Sequence, residues 1–343
     1  MRINRYHMAA KAAACAAAAF LAAALFGCGA ADERHTAEFF AMDTFMRLDA
    51  YGPNAREALD SAREEIERLD ALWSVARPGS EIFALNRDGR AEVSPETADI
   101  IKTASEVSAE TGGALDITVY PAVKAWGFTT DSAAVPPEGA LRGAMPLVDY
   151  RAVAVAGQAV ELGDGMEIDL GAIAKGYASQ RAVEIFAERG VASGIVSLGG
   201  NVQVLGSKPG GSPWAVAIQD PENMERYAGV LEVSNGAVIT SGVYQRYFEE
   251  DGVRYHHIID PATCRPAVSG LLSVTVVAPD GARADALSTA LLVMGEKAAV
   301  AHWRGGGYEF DMILITESGD VVITDGISGA YSHGGDRRLT VIK

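Results

Sequence analysis

Asp285 and Thr289 stand four residues apart in ADALSTALLVMG (284–295), where the apolar spacing predicts a helix over Arg283–Met294. Side chains at i and i+4 share one helix face. A carboxylate and a hydroxyl on that face are hard oxygen ligands, suited to Mg²⁺ or Ca²⁺. Just upstream, Tyr255-His256-His257-Ile258-Ile259 alternates like a strand and runs into Asp260-Pro261. Alternation sends the two histidines to opposite faces, so one of them at most can serve a site near that helix. The pieces together read as a metal-assisted site.

Other segments could contribute. A strand over Gly165–Leu170 ends near Asp169 and leads into a helix over Gly171–Arg189, with Lys175 close to its start. A helix N-terminus and a lysine both favour phosphate. On this segment alone, Asp169 as a simple cap and Lys175 as a solvated lysine is the preferred reading. Ser197-Leu198-Gly199-Gly200-Asn201 allows close backbone approach, or is an ordinary hairpin turn. Gly112–Thr118 resembles a ligand-lining loop with one carboxylate, Asp116. Trp126-Gly127-Phe128 reads as core rather than lid. Neither GxGxxG nor GxxxxGK[ST] occurs, so the common nucleotide fingerprints are absent. No CxxC or Cys/His cluster points to zinc or iron–sulfur.

These residues need a scaffold. The chain has 343 residues, 49% hydrophobic and 22% charged, enough for one large domain or two modest ones. Phe39–Tyr51 alternates as a strand. Asn54–Trp73 carries Leu59, Ile66, Leu69 and Leu72 on one helical stripe. Pro95–Thr111 is a second helix, with Ser94 as its cap. Thr129–Gly139 reads as a linker or excursion, and short strands are expected near 152–156, 159–162 and 166–170. Strands dominate from Gly194 to Ala278. The prediction is an α+β fold of layered, antiparallel-rich sheets with packed helices.

The first 27 residues read as a signal peptide: Arg2, Arg5 and Lys11, then an apolar run from Ala12 to Phe26. Leu25-Phe26-Gly27-Cys28 resembles a lipobox, which makes Cys28 the lipidated N-terminus, residues 28–37 a tether, and 38–343 one catalytic domain with two lobes as an option. The expected location is the outer face of the cell membrane, held by the lipid. Removing the three positive charges takes the net charge from −16 to −19. Such acidity argues against nucleic acid as a partner. Cys264 is then a lone thiol, expected to be buried.

In this order the segments resemble the ApbE family of FAD:protein FMN transferases: MDTFMRLDAYG (42–52), SEIFALN (80–86), GGALDITVYPAVKAWGF (112–128), DLGAIAKGYA (169–178), SLGGN (197–201), TSGVYQRYFEEDGVRYHHIIDPATCRP (240–266) and ADALSTALLVMG (284–295). The resemblance implies an ApbE-like, T-fold-related architecture. It implies an enzyme that uses Mg²⁺ and FAD, attaches FMN through its phosphate to a Thr or Ser of an exported redox protein, and releases AMP. By matched position, Asp285, Thr289 and the Ala172 carbonyl hold Mg²⁺. Met42, Ala76, Ala114, Leu115, Asp116, Asp169, Lys175, His257 and Ile259 line the FAD site. His257 or Asp285 takes the acceptor proton.

Two positions depart from the family pattern. Ala76 stands where many relatives place an aromatic or polar residue near the adenine. Cys264 replaces a glycine after Asp-Pro-x-Thr, which would cost something if that position needed positive φ. The run Asp325–Ala330 resembles the start of the family's acceptor motif, Asp-x-x-Ser/Thr-Gly-Ala-Thr, but Tyr331 occupies the acceptor position, so a chance turn is expected. The alternatives are an FAD pyrophosphatase, a non-catalytic flavin-binding lipoprotein and a lipid-anchored solute-binding protein. The last would need a parallel two-lobed pattern that the sequence lacks.

Overall fold

The computed structural model describes residues 33–343 apart from Asp131; the expected signal segment and Cys28 lie outside the described residues. One nine-stranded sheet organises the chain. Its strands follow each other in space as in sequence: β1 (Arg34–Ala41), β2 (Thr44–Tyr51), β3 (Gly194–Leu198), β4 (Asn201–Leu205), β5 (Gly236–Gly242), β6 (Leu271–Ala278), β7 (Asp311–Thr316), β8 (Val321–Thr324) and β9 (Leu339–Ile342). Neighbours are antiparallel except β8 and β9, which run parallel.

The helices are α1 (Ala55–Trp73), α2 (Glu81–Asp88), α3 (Pro95–Glu110), α4 (Tyr120–Ala125), α5 (Glu138–Ala144), α6 (Ala174–Glu188), α7 (Gly281–Met294) and α8 (Glu296–Gly305). In α1, Leu59, Ile66 and Leu69 of the expected stripe are buried. Ser94 caps α3 by accepting the Thr97 N–H, with Pro95 at the first position. Most of α7 is buried, because it lies against β5 and β6 on one side and α6 on the other.

The sheet is covered on both faces. Alternate residues of β5 and β7 go to opposite sides: Ala237, Ile239, Met312 and Leu314 join the core shared with the helices. Val238, Ile313 and Ile315 pack with Val216, Ile218 and Leu231. Those partners belong to a three-stranded sheet of Trp214–Gln219, Tyr227–Val233 and Tyr331–His333. Burial on both faces explains why the central strands read as continuous apolar runs. A third cluster holds Trp126, Phe128, Ile259 and Cys264. Trp126 and Phe128 are core, as expected, and the Trp126 indole N–H donates to the Cys264 carbonyl at 2.8 Å. No helix of the described residues is long and apolar enough to cross a membrane.

Four expectations change. Phe39–Tyr51 is a hairpin, because Met42 and Asp43 turn the chain at φ 48° and 56° without an Asn-Gly signal to betray it. Strand β1 begins at Arg34, inside the stretch read as tether, because Arg34–Ala41 pairs along its whole length with β2. Residues 166–170 belong to no sheet; Asn86 clamps Ile168 at their centre instead, donating to its carbonyl and accepting its N–H. Helix α6 starts at Ala174 rather than Gly171, since Asp169 closes a turn on the Gly171 N–H and does not cap the helix. Tyr331 is buried, with its hydroxyl on the Ala228 carbonyl, so the acceptor-like run before it is structural.

Candidate active site

A cleft of about 970 Å³ wraps around one end of the large sheet. Two tight turns lie side by side at its rim, Met42-Asp43 and Gly199-Gly200; a Cβ on Gly199 would meet the Thr44 side chain at 2.3 Å. One limb of the cleft lies on the helix side and contains Ala172, Lys175, Asp285 and Thr289. The other lies on the outer face and contains Ser197, Val202, Ala217, Gln219 and Met224. Every residue singled out from the sequence as a ligand or catalyst lines this cleft: Met42, Ala76, Ala114, Leu115, Asp116, Asp169, Ala172, Lys175, His257, Ile259, Asp285 and Thr289.

Asp285 owes its position to the crossing of α6 and α7. Gly176 and Gly281 meet there so closely that a Cβ on Gly176 would lie 2.1 Å from the Gly281 carbonyl oxygen. The contact lets the Gly176 N–H, in the first turn of α6, donate to Asp285 Oδ2 at 2.8 Å. Ile173 at the N-cap offers no side-chain cap, so the carboxylate caps α6 from the neighbouring helix. Burial pushes the Asp285 carboxyl up from its ordinary value, while Lys175, Asn201 and the Gly176 N–H act to keep it charged. One turn on, Thr289 Oγ1 lies 3.0 Å from Ser241 Oγ, which also meets Ser288 Oγ at 2.7 Å. Ser241 thus fixes the Thr289 rotamer from β5.

Strand β4 sits behind this pair. Asn201 and Gln203 point to the helix side, and both are buried. Gln203 accepts from the Ser179 hydroxyl and donates to Gln180, whose oxygen also accepts the Gly281 N–H. Asn201 Nδ2 is buried without a closed hydrogen bond of its own, although the amide is near enough to help hold Asp285 charged.

Lys175 lies among three groups and lowers the proton affinity of each: Asp169, His257 and Asp285. Its ammonium donates to the Gly171 carbonyl at 3.3 Å. Burial raises the Asp169 carboxyl, opposed by the Gly171 N–H, Arg246 and Lys175. The Asp169 N–H donates to the Ile117 carbonyl, which ties this turn to the Gly112–Thr118 loop. In that loop Asp116 is turned inward: its carboxylate accepts from the Thr118 N–H and hydroxyl and from the Tyr150 N–H. Its side chain therefore shapes the loop.

The two histidines part as expected. His256 is buried against the Ala267 carbonyl. His257 faces the cleft, with Nδ1 3.1 Å from the Arg246 carbonyl. A carbonyl at Nδ1 places the proton there and leaves the Nε2 lone pair free. Burial among protein atoms, with Arg246 and Lys175 close by, lowers the imidazole to about 4, so it is neutral at pH 7.

Sequence reading missed several cleft residues. Asp70 accepts the Met42 N–H and holds the left-handed turn. Arg246 and Ser241 lay inside quoted motifs, but strand alternation alone gave them no role. Ala76 is exposed in the cleft and offers no ring to stack on. Cys264 adopts φ 55°, so the position does require a left-handed residue. Its complete burial and the Trp126 bond act against that strain.

Fold and cleft define an α+β protein that gathers a lysine, an arginine and a neutral imidazole around buried carboxylates at one sheet end, a setting for a multiply charged anionic ligand. The chain belongs to the ApbE family, whose model matches residues 42–311. It is 34% identical over 324 residues to the FAD:protein FMN transferase of Salmonella typhimurium, covering 88% of this chain and 91% of that one. It is 35% identical over 287 residues to the FAD:protein FMN transferase of Treponema pallidum, covering 76% and 79%. The crystal structure of the ApbE protein from Thermotoga maritima superimposes with a TM-score of 0.81 at 33% identity, over 87% of this chain and 99% of that one. The flavin transferase ApbE from Vibrio cholerae does so at 0.78 and 27%, with the same coverage.

Proposed function

We propose that this chain is an FAD:protein FMN transferase, which moves FMN from FAD to a Thr or Ser hydroxyl of an exported redox protein. The observation that carries the reading is the joint placement of Lys175, Asp285, Thr289, Asp169 and His257 in one cleft, in a chain so similar to named FMN transferases. The acceptor oxygen attacks the flavin-side phosphorus, the bond from that phosphorus to the bridging oxygen breaks, and AMP leaves with that oxygen. Such a step needs positioning and charge neutralisation more than covalent help.

Each residue has a task. Lys175 and Arg246 draw the pyrophosphate toward the cleft floor. His257 Nε2 receives the acceptor proton; support comes from the tautomer fixed by the Arg246 carbonyl and from the neutral ring. Asp285 serves less well as a base, because Oδ2 is committed to the Gly176 N–H.

The donors also fit Mg²⁺. Among the described residues no group of three or more His, Cys, Asp or Glu could hold a metal ion. A hard cation that keeps waters and shares substrate phosphates needs no such cage. Asp285, Thr289 and the Ala172 carbonyl would hold it, and it would neutralise pyrophosphate charge. The second reading, an FAD pyrophosphatase, uses the same cleft with water as acceptor.

The test is AMP release with and without an acceptor protein, and with excess chelator. Transfer predicts AMP that rises with acceptor and stops with chelator. Equal AMP with no acceptor present would favour hydrolysis. Lipid anchoring at Cys28 is proposed alongside; labelled palmitate should enter the protein in cells and be lost in Cys28→Ser, and unchanged labelling would refute it.

A further inference from the structure

The outer limb of the cleft does not stop at its rim. Ser197 on β3 and Val202 on β4 pair with each other and line that limb. Arg47 on β2 pairs with Ser197, so Arg47 and Phe45 point to the same outer face. Phe45 pairs in turn with Phe40 on β1, the outermost strand of the sheet among the described residues. The floor of the cleft therefore continues past the Met42-Asp43 turn onto two adjacent phenylalanines. They are 69% and 59% exposed, and the Phe45 carbonyl accepts the Gly199 N–H at the rim.

Most of the rest of this face is satisfied within itself. Arg34 and Arg47 pair with Asp49 at 2.9 and 3.1 Å, and Arg47 also pairs with Glu38 at 3.0 Å. Among the described residues the apolar pair is left open, and it lies at the cleft end of the hairpin. Across the cleft Met224 is 62% exposed while lining it. Single exposed apolar residues are common; what sets this pair apart is that it is contiguous and continues the floor of the cleft. Aromatic residues and Met are enriched in contacts between proteins. The presenting turn is held by the Met42 N–H to Asp70 bond, so the pair is rigidly offered.

We propose that Phe40 and Phe45 dock the acceptor protein, gripping the segment that carries the hydroxyl before it enters the cleft. This rests on the transfer reading, since only a macromolecular acceptor must cross this rim. Its surface would present apolar side chains beside the hydroxyl.

The experiment uses the full chain and the double variant Phe40→Ser/Phe45→Ser, with a carrier protein bearing the acceptor motif as probe. Both positions are exposed, and a melting curve checks that the variant is folded. The variant should raise KM for the carrier about tenfold, as expected for losing two modest anchors. The kcat at saturating carrier and the Kd for FAD should stay within twofold. An unchanged KM would overturn the proposal. So would a weakened FAD Kd, which would give the pair to the flavin site, or an unchanged KM with reduced pelleting on anionic lipid vesicles, which would make it a membrane contact. No labelling of carrier by the unsubstituted enzyme would sink the transfer reading, and this inference with it.

Discussion

Gly176→Ala tests how Asp285 is placed. The new Cβ would lie 2.1 Å from the Gly281 oxygen and 2.5 Å from Asp285 Cβ, where ordinary contact begins at 3.4 Å. Neither neighbour is the tip of a flexible side chain, so α6 and α7 must part by about 1 Å. Overpacking of this kind costs about 1–3 kcal/mol. For a chain of this size that lowers Tm by roughly 2–5 °C. The parting also lengthens the Gly176 N–H to Asp285 Oδ2 bond, now 2.8 Å, and moves the carboxylate off its place. A displacement of that size costs on the order of 10²-fold in rate. Thermal melting, Mn²⁺ titration and steady-state flavin transfer read the three consequences. The expected pattern is a modest loss of Tm, weaker Mn²⁺ binding and a large loss of kcat, with KM for FAD little changed. Wild-type kcat in a variant with lowered Tm would refute the reasoning, because the crossing would then matter for stability but not for the site.

Three further outcomes follow from the same contacts. Folding lowers the His257 pKa from its ordinary 6.5 to about 4, so the unfolded chain takes up a proton first as the pH falls through 6.5. The associated stability is present above pH 6.5 and is lost toward pH 4, by about 1–2 kcal/mol once the opening of the ring to the cleft is allowed for. His257→Gln should flatten that part of the stability curve and slow transfer about 10²–10⁴-fold, as for loss of a general base; a pH–stability curve parallel to wild type would contradict the burial argument. Asn201→Ala should weaken Mn²⁺ binding, followed by titration calorimetry, about tenfold as for loss of an outer-shell partner, with Asn201→Asp not restoring it; unchanged binding would show that the amide does not act on Asp285. At Cys264, Gly should be within about 1 kcal/mol of wild type, because relief of the φ 55° strain offsets lost packing. Val there should cost at least about 2 kcal/mol in urea melts, and equal stability of the two would refute the strain.

Much of the site was legible because its residues sit in short segments of fixed spacing. The i, i+4 relation placed Asp285 and Thr289 on one face of α7, and alternation separated His256 from His257. Local rules failed where the determinant was a tertiary contact. The Met42-Asp43 turn carries no glycine; it depends on Asp70, in α1. The 166–170 segment alternates like a strand, yet Asn86 takes the Ile168 N–H and carbonyl that a sheet would have paired. Asp116 is a carboxylate in a cleft loop, but three donors from its own surroundings take it. Ser241 and Asn201 act through α7 and could not be seen from their own strands. The antiparallel order of the large sheet was legible only as a class, since the span from Tyr51 to Gly194 between β2 and β3 leaves no local mark of their pairing.

The central claim is that FMN passes from FAD to a hydroxyl of a protein. Its most direct measurement is the intact mass of a carrier bearing the acceptor motif after incubation with the enzyme, FAD and Mg²⁺, with AMP counted in the same sample. The account predicts a carrier heavier by one FMN less a water, one AMP per modified carrier, and no change when its acceptor Thr is replaced by Ala. An unmodified carrier with free FMN and AMP in solution, or FAD left intact by a folded enzyme, would contradict it.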